Sequence, residues 1–226
     1  MIIKINYMLF FPKDIDIIDK IQLTISYFIR LVLLLAVAES VIFQNWTVLF
    51  VSLLVLFITF LPALIQRNYK IHLPIELEFI VAVFVYAAIF LGEARNYYTK
   101  IWWWDIALHA LSSTVIAFAG FLVLLILYQQ YKIKASPITI AVFSFCFALS
   151  LGTIWEMMEF GADMMFGLNM QKSGLVDTML DLMVNAGGAL VISFFGYFYI
   201  RDKRFGFVGT VINRIAKKIL TKNNIC

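Results

Sequence analysis

Residues 106–128 read IALHALSSTVIAFAGFLVLLILY, a stretch with no Asp, Glu, Lys or Arg and one histidine, His109. A helix needs about 20 predominantly apolar residues to cross the hydrocarbon of a bilayer, so this segment predicts a transmembrane helix. Working outward, the same length and character recur at Tyr27–Phe43, Trp46–Ile65, Pro74–Leu91, Pro137–Phe160 and Thr178–Ile200. Pro74 and Pro137 stand where a first-turn proline is tolerated and open their helices. Trp46 follows Phe43 so closely that the first two spans must form a tight hairpin. The predicted fold is all-α: a polytopic membrane helix bundle of about six transmembrane helices. It forms a single integral membrane domain over residues 1–226, with an amphipathic cytoplasmic leader (1–26), the bundle (27–200) and a basic cytoplasmic tail (201–226).

Composition supports this reading. The chain is 63% hydrophobic and 14% charged, whereas a soluble domain is nearer half apolar and a quarter charged. No soluble fold could hide that much apolar surface. Met1–Phe11 lacks the basic region and clean apolar run of a cleavable signal, and is broken at Pro12. Cys146 falls in mid-membrane and Cys226 at the C-terminal residue, so the two are expected to stay unpaired. No internal repeat, low-complexity run or barrel-type alternation is present.

The net charge of +4 could suggest nucleic acid, but its placement points to membrane orientation instead. With the N-terminus inside, Lys4, Lys13, Lys20, Arg30, Arg67, Lys70, Lys132 and Lys134 are cytoplasmic. Arg201, Lys203, Arg204, Arg214, Lys217, Lys218 and Lys222 of the tail join them, which makes 15 of the 18 Lys and Arg. Only Arg95, Lys100 and Lys172 are left outside. The positive-inside rule therefore puts both termini in the cytoplasm. Trp46, Trp102, Trp103, Trp104 and Trp155 all fall toward the outer ends of their helices, as an interfacial belt does. Gly209–Lys222 has the character of a basic amphipathic segment lying on anionic lipid. Localisation in a bacterial plasma (inner) membrane as a multi-pass protein, with membrane lipids as partners and no nucleic acid, is the expectation.

Ionisable groups cost on the order of 3 kcal/mol each at the centre of a spanning helix, yet the last three spans collect them at one level. The fourth opens with Asp105 and His109. The fifth ends with Glu156, Glu159 and Asp163. The sixth returns through Asp177, Asp181 and Asn185. Steps of three and four residues set each group on one helical stripe. Glu39 and Glu93 lie at a similar depth. So many carboxylates cannot all stay ionised together without a cation or shared protons. The donors expected for a metal are Asp105, His109, Glu156, Asp177, Asp181 and Asn185. An oxygen-rich set of this kind suits Mg²⁺, Mn²⁺ or Ca²⁺, with a carboxylate-rich Zn²⁺ or Fe²⁺ site as second choice. A three-histidine site is excluded, because the other histidine, His72, is cytoplasmic. Simpler roles compete: Asp105 and Asp177 as helix caps, and Asn185 with Gly187 and Gly188 as helix-packing contacts. The methionines of the 164–176 loop could line a lip for a lipid chain or simply pack the core.

Three segments, WWWDIALHALSS (102–113), GTIWEMMEFGADMMFG (152–167) and QKSGLVDTMLDLMVNAGGA (171–189), resemble the YjdF-type family of bacterial inner-membrane proteins. That likeness runs from about Leu61 to Ile200. A weaker one is to VanZ-like membrane proteins, which share an Asp-x-x-x-His helix, a following Glu, and Asp-x-x-x-Asn with glycines. The matching positions are Asp105, His109, Glu156, Asp181 and Asn185. This sequence differs in carrying Glu159 where the VanZ-like pattern tends to have an amide, and Lys172 where that pattern has a loop arginine.

These observations lead to a divalent-metal-dependent membrane enzyme acting on a lipid or lipid-linked envelope substrate, with Glu159 and Asp163 as its catalytic acids. The alternatives are a proton- or cation-coupled transporter using the same carboxylates, and a non-catalytic scaffold in which they form an interhelical hydrogen-bond network.

Overall fold

The computed structural model describes residues 17–69, 75–129, 133–167 and 169–202. The described structure is all-α, and each of the six predicted spans falls on a helix: α1 (Ile17–Ile42), α2 (Trp46–Tyr69), α3 (Ile75–Val85, continued by a π-helix over Tyr86–Ala94), α5 (Trp104–Gln129), α6 (Pro137–Phe166) and α7 (Leu175–Asp202), with a single turn, α4 (Tyr97–Lys100), before α5. By length and composition, Ile17–Ile42, Trp104–Tyr128, Pro137–Phe166 and Leu175–Asp202 can each cross a membrane, and Val48–Leu64 is a shorter apolar stretch. Expectations that fall on Pro74, His72, the leader up to residue 16 and the tail from 203 lie outside the described residues.

The distribution of side chains is inverted relative to a soluble protein. Phe28, Leu35, Phe57, Phe160 and Met183 are each more than half exposed, while Arg30, His109, Glu156, Asp181 and Asn185 are buried. Large apolar patches facing outward around a polar interior match hydrocarbon as the surrounding medium.

The chain packs as two compact units, Met1–Ile101 and Trp102–Cys226. In the first, α1 and α2 form the predicted tight hairpin. Gln44 takes a left-handed φ of 55° at the bend, and the Val48 amide donates to Asn45 Oδ1 at 3.2 Å. Ile29, Leu33, Ala36, Val55 and Phe90 make the core. Two features here go beyond the sequence reading. α1 is continuous from Ile17, ten residues before the predicted start of the first span, so residues 17–26 are helical. Arg30, expected in the cytoplasm, is only 6% exposed in the middle of α1. Its guanidinium Nη2 donates to Glu78 Oε1 at 2.7 Å and to the Thr59 carbonyl at 2.8 Å, and its Cζ lies 4.4 Å from the centre of the Phe60 ring. A charge so fully partnered can sit at that depth. Glu39 and Glu93 also belong to this unit, and Glu39 accepts from Arg95 at 3.2 Å.

The second unit is a three-helix bundle in which α5, α6 and α7 each pack on the other two. Ser136 caps α6 by accepting from the Thr139 amide at 3.2 Å, with Pro137 in the first turn as predicted. α6 runs six residues past its predicted end and stops at Gly167, which has φ 65°, the left-handed residue that closes many helices. Small residues bring the helices together. Ala117, Ala148 and Ala189 meet with no exposure, and Ser144 donates to the Ala117 carbonyl at 2.7 Å. A Cβ on Gly188 would overlap Ser113 Oγ and stand 2.9 Å from the Ala110 carbonyl, so α7 approaches α5 at a distance only glycine permits. Toward the other end Phe121, Leu122, Leu125 and Ile140 seal the interior.

Removing one partner of a buried ion pair leaves an uncompensated charge and costs about 3–5 kcal/mol. Glu78→Gln is therefore expected to lower the thermal unfolding midpoint in detergent markedly, and the double change Arg30→Met with Glu78→Leu to recover most of the loss. Equal midpoints for wild type and Glu78→Gln would show that the pair does not hold α1 to α3.

Candidate metal centre

Antiparallel packing of α5, α6 and α7 brings the start of α5, the last turns of α6 and the start of α7 to one end of the bundle. The step of four from Asp105 to His109, and from Asp177 through Asp181 to Asn185, keeps each set on the inward stripe. His109 is the hub. Its Nε2 lies 3.7 Å from Asp105 Oδ1 and 3.8 Å from Asp181 Oδ2, and its Nδ1 lies 3.7 Å from Glu156 Oε1. These separations exceed hydrogen-bond length. Each separation taken singly has the length of a ligand pair, since donors about 2.1 Å from a common metal stand about 3–4 Å apart, and a neutral imidazole ligates through one of its two nitrogens only. Two sets of donors converge to within 4.8 Å: His109 with Glu156 and Asp181, and Asp105 with Asp177 and Asp181.

Among the described residues of this cluster, Glu156 lacks a hydrogen-bond partner. It is 3% exposed, and neither carboxylate oxygen makes a hydrogen bond. The Thr178 hydroxyl comes near it and also accepts from the Gln171 side chain at 2.6 Å. A buried carboxylate in that state costs several kcal/mol unless a positive species or a proton neutralises it. Asn185, also buried, has its Nδ2 3.4 Å from His109 Nδ1 and so holds the imidazole from the Glu156 side. Its amide rests against Gly152, where a Cβ would stand 2.8 Å from Asn185 Nδ2.

Residues 23–202 match the family described as predicted membrane protein (DUF2238). The chain belongs to this family. It is also 26% identical over 134 residues to an uncharacterized protein of Thermotoga maritima, an alignment covering 59% of this chain and 68% of the relative. No solved structure matches the chain. The DUF2238 match takes in all three helices that carry the carboxylate–histidine cluster.

Of the residues expected to bind metal, this DUF2238 member brings Asp105, His109, Glu156, Asp177 and Asp181 together, with Asn185 beside the histidine ring rather than in either donor set. Neither expected catalytic acid belongs to those sets. Glu159 is half-buried and accepts from the Trp155 indole Nε1 at 2.9 Å. Asp163 is committed to the α6–α7 connection, because the Met170 and Gln171 amides donate to its two oxygens at 2.7 and 2.9 Å. Both of its oxygens are thus engaged by backbone amides of that connection. The sequence reading gave Lys172 no part in the cluster and treated it only as an outer loop charge. Its Nζ donates to Asp105 Oδ2 at 2.5 Å. The signal available was its place five residues before Asp177 in a connection short enough to fold back over the cluster.

Losing two charge-assisted bonds to backbone amides costs about 1–3 kcal/mol locally. Asp163→Ala should therefore speed amide hydrogen exchange at Met170 and Gln171 about tenfold or more, while α5 amides keep their protection. Unchanged exchange at those two amides would refute the clamp.

Proposed function

We propose that the α5–α6–α7 cluster binds a divalent cation and that the protein is a metal-dependent membrane enzyme acting on a lipid or lipid-linked substrate. The observation that carries this reading is Glu156, a buried carboxylate with no hydrogen-bond partner, 3.7 Å from His109 and converging with Asp181. Carboxylate oxygens with one imidazole nitrogen fit Mg²⁺ or Mn²⁺ well and Ca²⁺ less closely, while Zn²⁺ and Fe²⁺ accept the same donors at shorter distance. Such an ion would polarise a phosphoryl or carbonyl oxygen or lower the pKa of a bound water. Glu159, one turn along α6 from Glu156, is the candidate to take a proton from that water.

Each alternative meets a specific obstacle. A proton or cation pathway needs polar groups through the bundle, yet toward its other end lie the apolar Phe121, Leu125 and Ile140, each no more than 2% exposed, and the buried Ser144 and Ser193 there donate to the Ala117 and Ala189 carbonyls. A scaffold network would satisfy its own hydrogen bonds, and Glu156 does not. The exposed Met164, Met165, Phe166, Leu175 and Val176 on either side of the connection near the cluster favour an apolar substrate chain arriving from the bilayer. The VanZ-like spacing of Asp105, His109, Glu156, Asp181 and Asn185 supports an envelope role in a bacterial plasma membrane with both termini in the cytoplasm, as does the likeness of the three quoted segments to YjdF-type proteins.

Full-length protein purified in detergent should retain a divalent ion through desalting. Glu156→Gln should weaken Mn²⁺ affinity at least about tenfold while the protein stays folded and monodisperse. Wild-type protein without metal affinity, or a variant that binds Mn²⁺ as tightly as wild type, would overturn the assignment.

A further inference from the structure

The cluster offers two positions for positive charge, and they share one residue. His109, Glu156 and Asp181 surround the inner position, and Asp105, Asp177 and Asp181 the outer. The two are served differently. At the inner position the 97% buried Glu156 carboxylate faces its neighbours with no hydrogen bond among the described residues. At the outer position the chain brings its own cation, the Lys172 ammonium 2.5 Å from Asp105 Oδ2.

The connection that carries Lys172 is built to hold it there. Asp163 binds the amides of Met170 and Gln171, Gln171 Nε2 donates to Thr178 Oγ1 at 2.6 Å, and the Gly174 amide donates to the Gln171 carbonyl at 2.8 Å. Gly167 and Gly174 take left-handed φ of 65° and 66° at the two ends of the segment, a conformation open to glycine at little cost. Formal charge gives the consequence. Asp105, Glu156, Asp177 and Asp181 carry four negative charges when ionised. One divalent ion with the lysine supplies three positive charges, and two divalent ions supply four. A second divalent ion beside an ammonium already in place would meet strong repulsion across the shared Asp181.

We propose that Lys172 fills the outer of two cation positions sharing Asp181, so that the native chain takes one divalent ion, at the inner position, and a chain without that ammonium takes two. This rests on the reading that the inner position binds a metal, and makes Lys172 the residue that sets the number of ions.

The test is Mn²⁺ titration of the full chain in detergent, followed by bound metal per chain and by electron paramagnetic resonance. Wild type and Lys172→Arg should saturate at one Mn²⁺ with an uncoupled signal. Lys172→Gln should take up a second Mn²⁺, giving the exchange-coupled spectrum of two ions bridged by a carboxylate. Lys172→Gln remaining at one uncoupled ion overturns the inference and leaves the inner site standing. A coupled pair in wild type at excess Mn²⁺ overturns it without any variant. Wild type binding no Mn²⁺ overturns the metal reading itself, and the inference with it.

Discussion

A carboxylate held away from water must be hydrogen-bonded, protonated or matched by a positive charge, and Glu156 has no hydrogen bond among the described residues. Much of the second unit can be understood as the means of putting it there. The alanines at 117, 148 and 189 bring three helices close enough for His109, Glu156 and Asp181 to converge. Gly152 leaves room for the Asn185 amide that steadies the imidazole. The apolar layer of Phe121, Leu125 and Ile140 closes the bundle toward its other end.

The first unit shows how the same chain treats a buried charge meant only for structure. Arg30 is buried like Glu156, but its guanidinium meets Glu78, the Thr59 carbonyl and an aromatic face. Its strong donors are matched, and the pair fastens α1 to α2 and α3. Near the α6–α7 connection, Asp163 is similarly satisfied by two backbone amides. Against these internally balanced groups, Glu156 stands out as a buried carboxylate without a hydrogen bond among the described residues.

Much of this was legible in the sequence. Long apolar runs marked the helices, because a spanning helix must be apolar over its whole length. The four-residue steps from Asp105 to His109 and from Asp177 to Asn185 placed the cluster, because helical geometry puts such residues on one stripe. What could not be read concerns partners distant in sequence. Arg30 looked like an orientation charge because Glu78, 48 residues away, gives no local sign of meeting it. α1 seemed to begin at Tyr27 because Asp19, Lys20 and Gln22 lower the hydropathy of turns that are nonetheless helical. Asp163 shared the spacing of Glu156 and Glu159 and so looked catalytic, while its partners are amides in a loop whose path no periodicity records. The part of Lys172 in the cluster was missed for the same reason.

The central claim is that a divalent ion is held by His109 together with carboxylates of α6 and α7. Pulsed electron paramagnetic resonance of the Mn²⁺-loaded protein addresses this at the level of the ligands. The account predicts echo modulation from one imidazole nitrogen, abolished in His109→Gln and accompanied by fewer bound waters than in the aquo ion. A spectrum with no nitrogen coupling, or one indistinguishable from hexaaqua Mn²⁺, would contradict it.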